Sequence, residues 1–249
     1  MTPMSDNAGQ GADSAPNIVI AIDGPAASGK SSTAHWVARR LGYFHLDSGA
    51  LYRALTAAQL RRQIPPDDWT IAQLLALAPT VTYLPTGKTF MPHIDGVPVE
   101  QELRGSEVTQ HVSRAARLQR VRQWVNEQVR LAARGRNVVV DGRDMGTVVF
   151  PDAALKVFLI ADPWERARRR LVQQLGYHPT DTEIAEETDR LVQRDSRDAT
   201  QSAQASDAVL IDTTYLTQEE QVERIVALAR AVTHRPGATS AVDEPPRRT

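Results

Sequence analysis

The chain has 249 residues, no cysteine, and 29 lysines and arginines against 30 aspartates and glutamates, for a net charge of -1 at pH 7. The absence of cysteine excludes disulfides and thiolate metal sites, and the balanced charge offers no general attraction for nucleic acid or anionic membranes. Because no apolar run approaches the ~20 residues needed to span a bilayer, and no signal-peptide pattern opens the chain, we expect a cytoplasmic protein.

The two ends of the chain differ in composition from the rest. Residues 1–16 and 234–249 are polar, small and rich in proline or glycine. Such segments bury too little apolar surface to offset the entropy lost on ordering. We therefore predict two disordered tails around one domain, residues 17–233.

The stretch AIDGPAASGKSSTA, residues 21–34, follows the pattern of a nucleotide-binding loop. Residues 18–22 read as a short buried strand, and residues 30–41 place apolar side chains on one helical face. Between them, residues 24–31 match the template G-x-x-x-x-G-K-[ST] at every fixed position. A strand before the motif and a helix after it are the context that the motif requires, which disfavours a chance glycine-rich turn.

In such a loop, backbone N–H groups surround phosphate oxygens, and the helix N-terminus contributes its positive dipole. Lys30, which we expect in a solvent-facing loop, reaches the β- and γ-phosphates, and Ser31 can bind Mg²⁺. The predicted ATP-binding residues are Gly24, Pro25, Ala26, Ala27, Ser28, Gly29, Lys30, Ser31 and Ser32.

Strand and helix patterns alternate along the following chain. β-rich runs occur at residues 43–47, 137–141, 155–161 and 207–212, with a helix predicted over residues 50–62. Helix caps are predicted at Asp162, which precedes a proline, and at Thr180 and Thr217, which each precede a glutamate by three residues. This alternation predicts a doubly wound α/β sheet with ligands at the carboxyl ends of its strands.

One segment interrupts this alternation. Residues 81–99 contain two turn signals between short β-prone pieces, which predicts an inserted antiparallel meander. A single long helix over residues 114–134 is then expected to lead back to the sheet. An insert at this place could hold a second substrate.

Polar clusters follow two of the predicted strands. Residues 47–53, with Ser48, Tyr52 and Arg53, follow the second strand, and residues 141–147 follow the strand at 137–141. An apolar strand that ends in Asp141 is typical of an acidic residue that supports Mg²⁺, directly or through water. A buried cap or turn aspartate has the same pattern.

Arginines are concentrated near the end of the chain, at positions 166, 168, 169, 170, 190, 194 and 197. About half of them are expected on a solvated helix face. The others could supply cationic donors around a moving phosphoryl group, on an element that closes over it. Residues 176–179, between two helices, could be the hinge or tip of that element.

The strings DGPAASGKSSTA, LDSGALYRA, HVSRAARLQRVR, DGRDMGTVVFPDA and QRDSRDATQSA together resemble the bacterial cytidylate kinases, within the nucleoside monophosphate kinase group of P-loop proteins. The resemblance implies transfer of the γ-phosphoryl group of ATP to CMP or dCMP with Mg²⁺. It also implies a five-stranded parallel core, residues 17–66 and 112–233, with a small antiparallel β insert at residues 67–111 that binds the monophosphate, and a short helical lid at residues 166–198. We expect a monomer whose partners are these small molecules.

The resemblance also implies roles for individual residues. Ser48, Arg53 and Arg143 match contacts to the acceptor phosphate, and Ser113, Arg122 and Asp144 match residues that read cytosine. Tyr52, Arg194 and Asp198 match residues at the acceptor sugar and the closing lid. The implied catalytic set is Lys30, Arg53, Arg143 and Arg194, and the implied metal-supporting pair is Ser31 and Asp141.

The chain departs from the family pattern at two positions. Gln119 replaces a proline in the LQRVR segment, which we expect to alter only local helix geometry. Gln201 stands where a third arginine is common near the lid, and Arg197 is one candidate to replace it.

Two other functions stay open at this point. A kinase for another small acceptor, such as UMP, AMP or shikimate, would have the same fold. A P-loop switch protein that binds GTP is disfavoured because no N-K-x-D motif is present. His45 and His178 are expected to be structural or exposed rather than catalytic, since a phosphate acceptor is already ionised.

Overall fold

The computed structural model describes residues 17–199 and 202–233. The predicted tails, residues 1–16 and 234–249, lie outside the described residues, and so does Gln201. None of the described helices is long and apolar enough to cross a membrane.

The described residues form eight strands and nine α-helices. The strands are β1 (Val19–Asp23), β2 (Phe44–Asp47), β3 (Val81–Thr86), β4 (Thr89–Ile94), β5 (Val97–Pro98), β6 (Val138–Gly142), β7 (Leu155–Ile160) and β8 (Val209–Asp212). The helices are α1 (Lys30–Leu41), α2 (Ser48–Leu60), α3 (Ile71–Ala76), α4 (Glu100–Leu103), α5 (Ser106–Arg117), α6 (Gln119–Ala133), α7 (Pro163–Leu175), α8 (Asp181–Asp198) and α9 (Gln218–Thr233).

Five of the strands run parallel, in the order β2-β6-β1-β7-β8. This confirms the predicted five-stranded parallel core. Strand β8 begins at Val209 rather than at residue 207, because residues 205–208 form a turn in which the N–H of Ala208 donates a 3.0 Å hydrogen bond to the carbonyl oxygen of Ala205.

Helices cover both faces of this sheet because successive strand residues point to opposite sides. Ile20 and Ile22 pack in one cluster with apolar residues of α1 and α9. Ala21, between them, packs in a second cluster with residues of α2, α5 and α6. The predicted doubly wound arrangement is therefore confirmed.

Two of the predicted helix caps are present as complete capping boxes, and the third is an aspartate cap. Thr180 with Glu183 caps α8, and Thr217 with Glu220 precedes α9. The Asp162 carboxylate accepts hydrogen bonds from the first backbone N–H groups of α7.

The predicted antiparallel meander is formed by β3, β4 and β5. Its tight turns contain Gly87, with φ of 61°, and Asp95-Gly96, with φ of 53° and 79°. Strand β4 also pairs in parallel with β2 at His45 and Thr89, so the meander extends the central sheet at its edge.

The prediction of one long helix over residues 114–134 is wrong. The chain forms α5 and α6, separated at Leu118, whose φ of -80° and ψ of 112° are extended. The buried residues of α5 include Val112 and Ala115, and those of α6 begin at Val121. Val121 lies six residues after Ala115, which is not a whole number of helical turns. In a continuous helix Val121 would therefore point away from the apolar face of α5. The break at Leu118 brings both apolar faces onto the core.

The carboxyl ends of the parallel strands meet at one edge of the sheet. Asp23, Asp47 and Gly142 end β1, β2 and β6, which are neighbours in the order β2-β6-β1. The phosphate-loop motif follows β1 at this edge, as expected for ligand sites in such sheets.

Candidate active site

The phosphate loop occupies the space between β1 and α1. Gly24 has φ of 153°, and a Cβ there would lie 2.3 Å from the carbonyl oxygen of Leu159. Glycine is therefore required at this position, because any side chain would overlap the backbone of β7. Gly29, with φ of 86°, ends the loop as the N-cap of α1.

Lys30 is the first residue of α1 and only 9% exposed. The expectation that it lies in a solvent-facing loop is therefore wrong. Its Nζ donates a 2.8 Å hydrogen bond to the carbonyl oxygen of Pro25, across the phosphate loop. Burial, together with the nearby charges of Arg143 and Arg194, lowers the pKa of Lys30. Burial thus makes the charge on Lys30 costly, and an anion bound beside it would stabilise that charge.

Two aspartates lie side by side where β2 and β6 end. Asp47 and Asp141 are partners in the strand register. Ser31 Oγ donates a 3.1 Å hydrogen bond to Oδ2 of Asp47, whereas Oδ1 of Asp141 lies 2.9 Å from Nε2 of His45. Burial raises the pKa of Asp141, and the charge of Asp47 adds to this effect. His45 is buried in this hydrogen bond, consistent with the structural role expected for it.

Ser48 and Gly142 are tightly packed behind these carboxylates. Ser48 Oγ donates a 2.8 Å hydrogen bond to the carbonyl oxygen of Asp141. A Cβ on Gly142 would lie 2.5 Å from that same hydroxyl oxygen. The side chain of Ser48, predicted to bind phosphate, therefore also links the start of α2 to β6 through this hydrogen bond.

Three of the predicted residues meet where α8 reaches the core. Oδ2 of Asp198 lies 3.7 Å from Nε of Arg143 and 3.7 Å from Nε of Arg194. Arg143 also donates a 3.2 Å hydrogen bond to the carbonyl oxygen of Gly24 in the phosphate loop. Asp198 thus joins the core arginine to the arginine of α8.

Arg53 is held by the segment that follows the meander. Its Nη1 donates 2.9 Å hydrogen bonds to the carbonyl oxygen of Leu103 and to Oγ1 of Thr109. Burial, and next the charge of Arg194, lowers the pKa of Arg53 to about 10. Sequence patterns gave no signal for these two partners. Leu103 contributes only its backbone carbonyl, and the hydroxyl of Thr109 belongs to no recognised motif.

Two of the three predicted base-reading residues, Arg122 and Asp144, form a second polar group. The guanidinium of Arg122 forms an ion pair with the carboxylate of Asp144 and lies 5.9 Å above the ring of Tyr52. Arg122 also donates a 3.1 Å hydrogen bond to the carbonyl oxygen of Ala116, one turn after Ser113 on α5. The hydroxyl of Tyr52 is buried.

The side chain of Asp144 does not cap the turn that follows it. A single π-helical turn spans Met145–Val149, and the backbone carbonyl of Asp144 accepts its hydrogen bonds from Val148 and Val149. The carboxylate of Asp144 is instead directed to Arg122. The ion pair with Arg122, rather than a helix cap, therefore accounts for the placement of this side chain.

A cleft of about 2230 Å³ connects many of these groups. Its lining includes eight predicted site residues, namely Ala27, Gly29, Lys30, Ser31, Ser32, Arg53, Ser113 and Arg194. Asp47, Arg170 and Arg197, which were not among the predicted site residues, line it as well.

The arginines of α7 and α8 divide by their partners. Arg168 and Arg190 are exposed and paired with glutamates of their own helices. Arg169 donates to the carbonyl oxygens of Thr213 and Thr214. Arg170, whose Nε lies 3.0 Å from Oε1 of the buried Glu187, faces the cleft. The spacing of the arginines in sequence does not distinguish these environments.

A clamp that sequence patterns did not indicate connects α7 and α8 to the phosphate loop. Arg166 donates to the carbonyl oxygen of Ala26 at 2.9 Å and to Oδ2 of Asp195 at 2.6 Å. Oδ1 of Asp195 accepts a 3.2 Å hydrogen bond from the backbone N–H of Ala26. Both backbone polar groups of Ala26 are thereby fixed, and its side chain packs in a cluster with Leu171 and Ile184.

Asp23 supplies a second connection within the site. Its two carboxylate oxygens accept hydrogen bonds of 2.9 and 2.8 Å from the backbone N–H groups of Met145 and Gly146. Burial raises the pKa of Asp23 despite these two hydrogen bonds. Asp23 therefore ties the segment that carries Arg143 and Asp144 to the start of the phosphate loop.

Comparison with known proteins identifies the family. The cytidylate kinase family model matches residues 20–231. A cytidylate kinase of Limosilactobacillus fermentum is 42% identical over 215 residues, which cover 84% of this chain and 93% of that protein. Cytidylate kinases of Chloroherpeton thalassium and Chlorobaculum tepidum are 42% and 41% identical, and each alignment covers 86% of this chain and 94% of the relative. The chain belongs to the cytidylate kinase family.

Proposed function

We propose that this protein transfers the γ-phosphoryl group of ATP to CMP or dCMP, giving ADP and CDP or dCDP. The observation that carries the proposal is the meeting of a complete phosphate loop with Arg53 and Arg194 around one cleft, in a chain of this family. We also propose that it acts as a monomer on small-molecule substrates in the cytoplasm.

The proposed mechanism consists mainly of positioning and charge neutralisation. Two polyanions must approach in line, and phosphoryl transfer requires little covalent chemistry from the protein. Lys30 and the loop backbone hold the phosphates of ATP, while Arg53, Arg143 and Arg194 neutralise the acceptor phosphate and the moving group. No general base is needed, because the acceptor phosphate oxygen is already ionised near neutral pH.

The acceptor base is read by Asp144, Arg122 and Ser113 in this proposal. Cytosine has an amino donor at N4, which suits a carboxylate, and acceptors at N3 and O2, which suit a guanidinium and a hydroxyl. Uracil would place its O4 acceptor against the Asp144 carboxylate. The pairing of Asp144 with Arg122 supports this assignment, since both groups are already placed together.

Magnesium is proposed to arrive with ATP rather than to reside in the protein. Among residues 17–199 and 202–233, no group of three or more histidines or acidic residues could hold a metal ion. Mg²⁺ keeps several waters and binds through substrate phosphates with one or two protein oxygens. Ser31 and Asp141 are the residues proposed to support it, and when bound the metal would neutralise charge on the transferred phosphates.

We propose that residues 67–111 hold the acceptor and residues 166–198 act as the lid. The bonds from Arg53 to Leu103 and Thr109 support a role for the first segment near the acceptor. The ion pairs of Asp198 support a role for the second in closing over the phosphates.

A coupled assay of ADP formation with CMP, dCMP, UMP and AMP tests the proposed function. CMP and dCMP should give the largest kcat/KM, and the Lys30→Ala variant should lose activity with all acceptors. A larger kcat/KM for UMP or AMP would favour a kinase for another acceptor. Stimulation by none of the four would favour a nucleotide-binding switch protein.

A further inference from the structure

The carboxylates of Asp47 and Asp141 end adjacent strands but face different surroundings. Among the described residues, Asp47 belongs to the lining of the cleft, together with Lys30 and Ser31, and Asp141 does not. Asp141 is 2% exposed. Of these two acids, Asp47 is therefore the one that a ligand in the cleft can approach directly.

The hydrogen bonds of the two side chains differ in the same way. Asp47 accepts the hydroxyl hydrogen of Ser31 on Oδ2 and the backbone N–H of Ala50 on Oδ1, at 3.1 and 3.2 Å. Asp141 is bonded to the buried ring of His45. Only Asp47 therefore contacts the phosphate-loop serine that the P-loop motif assigns to the metal.

The bond between Ser31 and Asp47 suits a serine that binds a cation. A hydroxyl has one hydrogen and two lone pairs, so donation to Asp47 leaves the oxygen free to act as a ligand. Carboxylates that accept hydrogen bonds from metal ligands orient those ligands and increase their basicity. Asp47 also places a negative charge beside a cleft that is lined by Lys30 and many arginines, where a divalent cation would otherwise be repelled.

We propose that Asp47 is the positioning residue for the magnesium of ATP, acting by orienting Ser31, and that Asp141 supports the site from behind through His45. The inference rests on the proposed use of magnesium-ATP. It assigns a role to Asp47, and it limits Asp141 to organising β2 and the start of α2, where Ser48 donates to its carbonyl oxygen.

The test compares Asp47→Asn with Asp141→Asn. Asparagine is as good a helix N-cap as aspartate, so Asp47→Asn keeps an oxygen for the N–H of Ala50. It removes the charge, and it replaces the oxygen that accepts the Ser31 hydroxyl hydrogen by an NH₂ donor. Asp152→Asn is the matched control, because Asp152 is exposed and precedes β7 at the opposite end of the sheet. Thermal melting confirms that each variant is folded.

Isothermal titration measures the Kd of a non-hydrolysable ATP analogue with Mg²⁺ and with EDTA, and the ratio of these values is the magnesium effect. Loss of such an outer carboxylate typically weakens metal binding by roughly 10- to 100-fold, so Asp47→Asn should reduce the ratio by about that factor. In the presence of EDTA, the Kd of Asp47→Asn for the ATP analogue should equal that of the wild type or be lower. Asp141→Asn should keep most of the magnesium effect, and Asp152→Asn all of it.

The opposite result would overturn the inference. The inference fails if Asp47→Asn shows the same magnesium effect as the wild type. It also fails if Asp47→Asn and Asp141→Asn lose the magnesium effect equally. A wild type that binds the analogue equally well with and without Mg²⁺ would contradict the magnesium-ATP step of the proposed function itself, and the inference with it.

Discussion

Replacing Asp144 by asparagine should reduce the preference for CMP over UMP. The Asp144 carboxylate is 6% exposed and paired with Arg122, so in the proposed complex it receives the N4 amino group of cytosine away from water. An asparagine can turn its amide to donate to O4 of uracil, which a carboxylate cannot do. The variant should therefore lose activity with CMP and keep or gain activity with UMP.

The size of the effect follows from the charge of the lost acceptor. A hydrogen bond to a charged group contributes about 1.5–3 kcal/mol. At 1.4 kcal/mol for each factor of ten, kcat/KM for CMP should fall roughly 10- to 150-fold. The ratio of kcat/KM for CMP to that for UMP should fall at least as much. A steady-state coupled assay with both nucleotides at several concentrations gives this ratio.

The stability of the same variant provides the control. Removing one partner of a buried ion pair costs about 3–5 kcal/mol when the other charge is left unpaired. Asparagine still offers an oxygen to Arg122, so the melting temperature of Asp144→Asn should be higher than that of Asp144→Ala. An unchanged ratio of CMP to UMP activity in folded Asp144→Asn would refute the base-reading role. Equal losses with both substrates would indicate that Asp144 only supports the local structure.

Three further outcomes are expected. Lys30→Ala should lower kcat by about 10²–10³-fold, the range for a lost donor to developing charge, while its melting temperature stays near that of the wild type because burial, together with the charges of Arg143 and Arg194, already disfavours the charged lysine; unaltered turnover would contradict the phosphate-loop assignment. Gly142→Ala should destabilise the fold by about 1–3 kcal/mol, seen in chemical denaturation, because its Cβ would lie 2.5 Å from Ser48 Oγ; full stability would show that the segment relaxes freely. Deletion of residues 1–14 and 237–249 should leave melting temperature and turnover nearly unchanged, and a large fall in either would show that a tail packs on the domain.

Local spacing along the chain was sufficient for the phosphate loop and for the alternating core. Gly24, Gly29, Lys30 and Ser31 are close in sequence, so their order alone identifies a loop whose backbone can surround phosphate. Strand and helix periods along the chain predicted the doubly wound α/β sheet with a meander inserted, and the family resemblance added the five-stranded parallel core. These features depend on covalent neighbours, which a sequence displays directly.

The break at Leu118 could not be predicted in the same way. The segments on either side of it are each amphipathic, and periodicity within a short window does not reveal that their apolar faces are out of phase. In the tertiary structure both apolar faces must pack on the same side of the sheet. The extended residue Leu118 turns α6 relative to α5 so that they do.

Strand order decides which polar groups meet, and the sequence does not display it. β6 lies between β1 and β2, so Asp141 becomes the neighbour of Asp47, a residue 94 positions earlier in the chain. The same order buries Asp141 against His45 and leaves Asp47 beside Ser31 at the cleft. An aspartate after an apolar strand has the same local pattern in both cases. Its environment depends on long-range packing, which sets burial, partner and charge together.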